Sequence, residues 1–422
     1  MSTDSRQIKA LEIADKFRIT GGNGLWTVPS QSSTKKYTVS IVGKSGDCTC
    51  PDFEIRREAC KHMLAVRYLI QREENPDGST TVTETFEVTK RTTYPQDWHA
   101  YNSAQTNEGD YFQELLHGLC GGIETPAQKG RGQKALPLAD AIFAATYKVY
   151  STMSARRFMS ELRESKERGY IDSVPHFNSV LNYLENPDLH PILTRLIEIS
   201  ALPLASVETD FAVDSSGFST SKFERWFDHK WGQEKFRHQW VKVHVMCGVK
   251  TNIVTTAAIS DRHDSVMFPE LLKTTVDGFD VKEVSADKGY LSYNNAYEII
   301  KAGAVPFIAF RKNSVMDHAR ANEKHDWPHR AAWNSMYHYF QYRRDEFLQH
   351  YHKRSNVETT FSMIKRKFGD SLRSKTDVAM KNEALCKILC HNLVVLIHEM
   401  FALGIDPVFL HNGTKAAQQE TL

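Results

Sequence analysis

Residues 208–217 read ETDFAVDSSG, and the runs that follow them decide the fold. The segment is strand-like and is expected to end at Asp214, ahead of the turn residues Ser215, Ser216 and Gly217. Four more strand-like runs follow, WVKVHVMCGV (240–249), NIVTTAAIS (252–260), KEVSADKGY (282–290) and VPFIAF (305–310). A helical pattern, SVMFPELLKTTV, separates the third and fourth runs, and another, SYNNAYEIIKAG, separates the fourth and fifth. Three strands, helix, strand, helix, strand and then helices predict an α/β domain on a mixed sheet. Short turns among the first three strands suit an antiparallel meander, and the helical crossovers suit parallel pairing.

Asp287 is expected to end the fourth strand, just before KGY. Sites in α/β sheets form at strand ends, so adjacency of the first and fourth strands would bring Asp214 and Asp287 together. Each aspartate taken alone also reads as a turn or cap residue. Two close carboxylates repel unless protonated or bridged by cations, so a suitable third group would make them a divalent-metal site.

The third group lies in YHKRSNVETTFSMIKRKF (351–368), a basic segment with Glu358 in its middle. At about 100° per residue, Tyr351, Arg354, Glu358 and Lys365 fall on one helical stripe roughly 60° wide. Val357, Phe361, Ile364 and Phe368 form an apolar stripe directly beside it. The helix is expected to pack on the sheet by the apolar stripe and to aim Glu358 at the aspartates. Arg354 and Lys365 would flank it, facing outward. The competing reading is a solvated face with an ordinary charge pair.

Upstream, Cys48-x-Cys50 is followed by Cys60-x-His62, four zinc-type ligands within fifteen residues. Zinc takes thiolate and imidazole tetrahedrally, so one structural Zn²⁺ on these four is expected, free buried thiols being the alternative. An odd count of seven cysteines favours a reducing compartment over a disulfide framework. The pattern resembles the SWIM-type zinc finger, a module linked to DNA or protein contacts.

The chain has 422 residues, too many for one ordinary core. We expect a zinc-finger unit over 1–75, a linker or exposed hairpin over 76–95, a mainly helical domain over 96–203, the α/β domain over 204–400 and a tail over 401–422. The net charge is only +2, so local clusters of Lys and Arg at 129–134, 156–168 and 353–375 carry the argument for an anionic partner. No signal-peptide core is read at the N-terminus, and no apolar run is read as a membrane span.

Residues 154–185 resemble a helix-turn-helix turning at Gly169, with Ser173 as a possible cap and Pro175 at a helix start. Arg156, Arg157, Arg163, Lys166 and Arg168 would meet phosphates, and His176, Asn178 and Asn182 would face bases; a solvated helical face is the alternative. Trp226, Trp231 and Trp240 read as packing over a sheet edge more readily than as stacking on a base. His263 and Asp264 read as a helix start. Cys386 and Cys390, with His391, read as core residues rather than a metal pair.

The spacing Y-x2-R-x3-E-x6-K, met by Tyr351, Arg354, Glu358 and Lys365, is similar to the signature of the DDE transposases of prokaryotic insertion sequences. FAVDSSG and ADKGY resemble that group's two catalytic-aspartate motifs. The resemblance implies an RNase H-like catalytic domain in which Asp214, Asp287 and Glu358 hold two Mg²⁺ or Mn²⁺ ions for metal-assisted phosphoryl transfer. It implies that Arg354, Lys365 and Tyr351 contact DNA, and that Lys288, if not simply solvated, assists. The implied partner is double-stranded DNA at transposon ends and target; acting on two ends points to a homodimer. A cytoplasmic, nucleoid-associated location follows. A nuclease or resolvase without strand transfer, or a non-catalytic transposase-derived DNA-binding protein, are the alternatives.

Overall fold

The computed structural model describes residues 5–31, 35–42, 45–56, 59–70, 72–74, 80–82, 97–125, 136–220, 240–317 and 326–409. The chain divides into two compact units, Met1–Tyr94 and Pro95–Leu422.

In the first unit, α1 (Ser5–Lys16) accompanies an antiparallel sheet of β1 (Thr20–Gly22), β2 (Leu25–Pro29), β3 (Lys36–Val42) and β4 (Ser45–Cys48), in that order. Asn23 and Gly24 both take positive φ, 52° and 84°, and close the β1–β2 hairpin as Asn-Gly pairs do. Two short helices follow, α2 (Pro51–Arg56) and α3 (Lys61–Ile70). Ala10, Ile13, Val28, Val39, Ala65 and Val66 are fully buried in a small core. A separate hairpin pairs β5 (Arg72–Glu74) with β6 (Thr80–Val82).

The second unit starts with α4 (Trp98–Cys120), α5 (Leu138–Ser151), α6 (Ala155–Glu167), α7 (Phe177–Leu184) and α8 (Leu189–Ala201). Strands β7 (Asp210–Thr220), β8 (Trp240–Gly248) and β9 (Val254–Ile259) form an antiparallel meander. Helix α9 (Asp264–Val276) leads to β10 (Glu283–Ala286), and α10 (Tyr293–Lys301) leads to β11 (Val305–Ile308). Both of these strands join in parallel, giving the order β11-β10-β7-β8-β9. The chain closes with α11 (Trp327–Tyr342), α12 (Arg344–Tyr351), α13 (Ser355–Phe368), β12 (Ser371–Leu372) and α14 (Asp377–Leu403). One hydrophobic core runs from the early helices through the sheet to α14. Helix α14 is the one described helix long and apolar enough to cross a bilayer, yet 78% of its apolar window is buried inside the protein. It is the central core helix, with Cys386 and Cys390 fully buried as thiols and His391 Nε2 bonded to the Asn252 carbonyl at 2.9 Å.

Several local expectations change. Asp214 does not end its strand: β7 continues to Thr220 because β8 pairs with it through Ser219↔Trp240. Its connection to β8 is long, and residues 221–239, with Trp226 and Trp231, lie outside the described residues. Trp240 lies over Gly217, where a Cβ would come within 2.8 Å of its ring. The segment 351–368 is not one helix, since a 3₁₀ turn at His352–Arg354 separates α12 from α13. In the helical block, the connection 168–176 is longer than the roughly three-to-four-residue turn of a helix-turn-helix. Its cap is His176, whose side chain accepts from the Asn178 N–H, rather than Ser173. Arg168 is held by Asp110 and Glu164. The basic cluster at 129–134 lies outside the described residues.

Candidate active site and metal centre

The parallel β10–β7 ladder pairs Glu283 with Asp210 and ends with Ala286 opposite Val213. Asp214 and Asp287 are the next residues on each strand, so they leave the ladder side by side. Beyond that point β10 stops, and β7 gains no partner on this side until Ser219 pairs with Ser371 of β12. A notch therefore opens along residues 214–218 of β7.

Helix α13 lies along that notch. Val357, Phe361, Ile364 and Phe368 are buried, the apolar stripe read from the sequence. Lys353 fixes the entry to the helix, its ammonium donating to Asp210 at 2.6 Å and Glu283 at 2.7 Å. His350 adds a 2.8 Å contact to the same Glu283, and Asn356 donates to the Val249 carbonyl. Two carboxylates paired across the ladder are thus bridged by one cation, which sets where α13 begins.

From this anchor Glu358 falls in the first turn of α13, exposed, with Arg354 Nη1 at 2.9 Å from its Oε1. Arg354 also stacks over the Tyr351 ring, 5.5 Å from its centroid, and Tyr351 is buried. Further along, Lys365 turns into the notch rather than outward, donating to Ser216 Oγ at 2.6 Å. Asp214 and Glu358 line one open cavity of about 560 Å³ with Lys365, Arg366 and Asp370. Asp287 and Lys288 are exposed just beyond the end of β10.

Charge crowds around Asp214. Burial pushes its carboxyl above the ordinary range, the Ser215 N–H opposes this from 2.8 Å, and the charges of Asp287, Asp264 and Glu358 raise it further. Asp264 is the member that sequence reading took only as a helix start. It opens α9 and accepts from Lys242 at 2.7 Å and from Ser215 Oγ at 2.8 Å. Burial alone would raise it, but these two bonds and the charges of Lys242 and His244 together hold it low. A stable anion thus stands behind Asp214. The donor set at the notch is oxygen only and its negative charge is uncompensated at Asp214, which fits hard divalent cations. The three carboxylates are not drawn into a closed ligand cluster, because Glu358 is turned to Arg354.

In the first unit, Cys48, Cys50, Cys60 and His62 do form such a cluster, the one found among the described residues: their ligand atoms lie within 4.8 Å of one another and all four are buried. Cys48 ends β4, Cys50 precedes α2, and Cys60 and His62 sit at the start of α3. The hydrogen bond from Cys48 draws the Cys60 thiol down to about 4. His62 Nε2 is buried without a hydrogen-bond partner, an open ligand position on the imidazole. Three thiols and an imidazole with a free nitrogen, drawn together in one buried cluster, fit zinc.

Comparison with known families supports both halves. Residues 205–393 match the Transposase DDE domain family. Residues 37–69 match the SWIM zinc finger, and they contain all four Cys/His ligands. The DDE domain match spans the notch, with Asp214, Asp287 and Glu358 inside it. Searches of curated proteins and of solved structures found no match to the chain.

Proposed function

We propose that the chain is a transposase that cleaves DNA at the ends of an insertion element and joins those ends to a target. The observation that carries this reading is the meeting of Asp214 and Asp287 at the end of one parallel ladder, with Glu358 across the same notch. The strand order β11-β10-β7-β8-β9 supports an RNase H-like arrangement, and the DDE domain match supports phosphoryl transfer. The family resemblance and the oxygen donor set support two Mg²⁺ or Mn²⁺ ions held by Asp214, Asp287 and Glu358.

When bound, these cations supply activation of an attacking water or 3′-hydroxyl and stabilisation of the departing oxygen. The remaining work belongs to side chains. Asp214, half-buried and pressed by three acidic neighbours, is the carboxylate whose charge a bound cation would relieve most. Holding a cation would require Glu358 to leave Arg354, whose guanidinium would then be free for a DNA phosphate. Lys365 presents its ammonium at the notch floor and lowers the repulsion between the acidic site and a polyanion. Tyr351 supports Arg354 through its ring face.

The zinc finger is a structural unit whose partner is DNA or protein, and the working assembly is a homodimer acting on two DNA ends in a cytoplasmic, nucleoid-associated setting. The test is a Mg²⁺-dependent assay on DNA flanking this gene. Wild-type protein should give nicked and target-joined products. Cleavage without any joined product would reduce the function to a nuclease, and equal cutting by Glu358→Gln would remove the catalytic assignment.

A further inference from the structure

A second cavity, of about 640 Å³, lies between the end of α5, the start of α6, α7 and β12. Three cations line it, Lys148, Arg156 and Arg373, and no carboxylate is among its described lining residues. Lys148 is the unusual member. It is 6% exposed, yet its ammonium has no hydrogen bond or ion pair among the described residues. The nearby Glu383 makes no direct bond to it, its oxygens accepting from the Arg373 and Ser374 N–H groups, and acts on Lys148 only through its charge. A largely buried lysine stem that brings an unpaired ammonium to a cavity wall offers a ready donor to an anion from outside the chain.

The rest of the cavity suits an anion. Helix α6 begins here with Ser154 as its cap, whose side chain makes no capping bond, and no acidic residue follows in the first turn. Its first N–H groups therefore remain open at the positive end of the helix. The Arg156 guanidinium lies over the Phe177 ring at 4.7 Å, which fixes its plane at the cavity wall, and Asn178 adds an amide. Asp370 lines the acidic notch, whereas Ser371 to Arg373 line this cavity. Consecutive residues thus line the two cavities, within one to about three nucleotides of B-form rise at ~3.4 Å each.

We propose that this cavity is a phosphate pocket that seats a backbone phosphate of the DNA strand bound at the acidic notch, with Lys148, Arg156 and the α6 N-terminus as its donors. The identity of the strand rests on the transposase reading; the anion chemistry does not. A pocket this large leaves room for the attached sugar beside Phe177.

The test uses the full chain without divalent cations, so that no cleavage occurs. Binding of a fluorescent 30-base-pair duplex is followed against salt for wild type, Lys148→Met, Arg156→Gln and, as a charge-loss control, the exposed Lys273→Gln. Melting with and without inorganic phosphate is measured on the same proteins. One phosphate contact contributes ~0.9 to the slope of log K against log salt. Lys148→Met and Arg156→Gln should flatten that slope by about this amount, and Lys273→Gln should not. A methylphosphonate at one duplex position should weaken wild type but not Lys148→Met. Phosphate should raise the melting temperature of wild type more than that of Lys148→Met. A folded Lys148→Met with the wild-type slope overturns the proposal. If phosphate still stabilises only wild type, the pocket takes free phosphate and the DNA assignment fails. Absent strand cleavage in the separate Mg²⁺ assay, with the slope difference intact, would count against the transposase reading alone.

Discussion

Asp214 and Asp287 hold equivalent places on two hydrogen-bonded parallel strands, each one residue beyond the last pair, Val213↔Ala286. Seventy-odd positions apart in the chain, they are neighbours because β10 joins β7 rather than β9. The notch next to them exists because β10 ends where β7 continues.

Removing either carboxylate should therefore stop chemistry without unfolding the protein. Loss of a cation ligand withdraws several kcal/mol of transition-state stabilisation, about a 10³-fold fall in rate. Asp214→Asn and Asp287→Asn should each lose cleavage by at least this factor. Asp214→Asn should melt no lower than wild type in the absence of divalent cations, since it deletes a half-buried charge raised by desolvation. Circular dichroism melts beside cleavage rates check both halves.

Lys353 is expected to matter through position. Lys353→Met leaves Asp210 and Glu283 facing each other across the ladder with no cation between them. Losing two charged hydrogen bonds at partly exposed groups should cost about 1–3 kcal/mol. Cleavage should fall as well, because the start of α13 sets the place of Glu358. An unfolding titration showing no destabilisation would remove the clamp from the account.

Much of this was legible in the sequence, for definite reasons. The five strand runs and two crossover helices carried clear periodicity, so sheet membership and pairing sense could be read. The apolar stripe of α13 was legible for the same reason, and the Cys/His spacing was local enough to give the zinc cluster. Other features depended on tertiary contacts. The 3₁₀ break at His352–Arg354 follows from Lys353 being pulled to Asp210 and Glu283, which no helical wheel contains. The length of β7 was set by β8, not by the turn-like residues Ser215, Ser216 and Gly217. Asp264 looked like a simple helix start because its partners, Lys242 and Ser215, come from two other strands.

Zinc removal should act on the first unit alone. Its buried core is small, and the four ligands join β4, α2 and α3. Chelation, or His62→Ala, should release one zinc per chain and expose residues 1–94 to proteolysis while the unit from Pro95 keeps its melting transition. Metal analysis with limited proteolysis reads this out. Retention of a compact, protease-resistant first unit after complete zinc loss would show that the cluster is not structural.

Acid should destabilise the core through His391. Burial holds this imidazole neutral, its pKa lowered to about 4, while an unfolded histidine titrates near 6.5. The folded pKa is the lower one, so the contribution is fully present above pH ~6.5 and is lost as pH falls towards 4. The loss should amount to roughly 3 kcal/mol by pH 4, at ~1.4 kcal/mol per unit. Denaturant titrations from pH 7 to 4 should show this slope in wild type and a shallower one in His391→Gln.

If Asp214, Asp287 and Glu358 share divalent cations as proposed, the number of bound Mn²⁺ reads it out. Titration of the full chain on a DNA duplex, followed by electron paramagnetic resonance, should show two Mn²⁺ per chain for wild type. Each of Asp214→Asn, Asp287→Asn and Glu358→Gln should lose or weaken at least one of them. Indistinguishable Mn²⁺ binding in all four folded proteins would contradict the account.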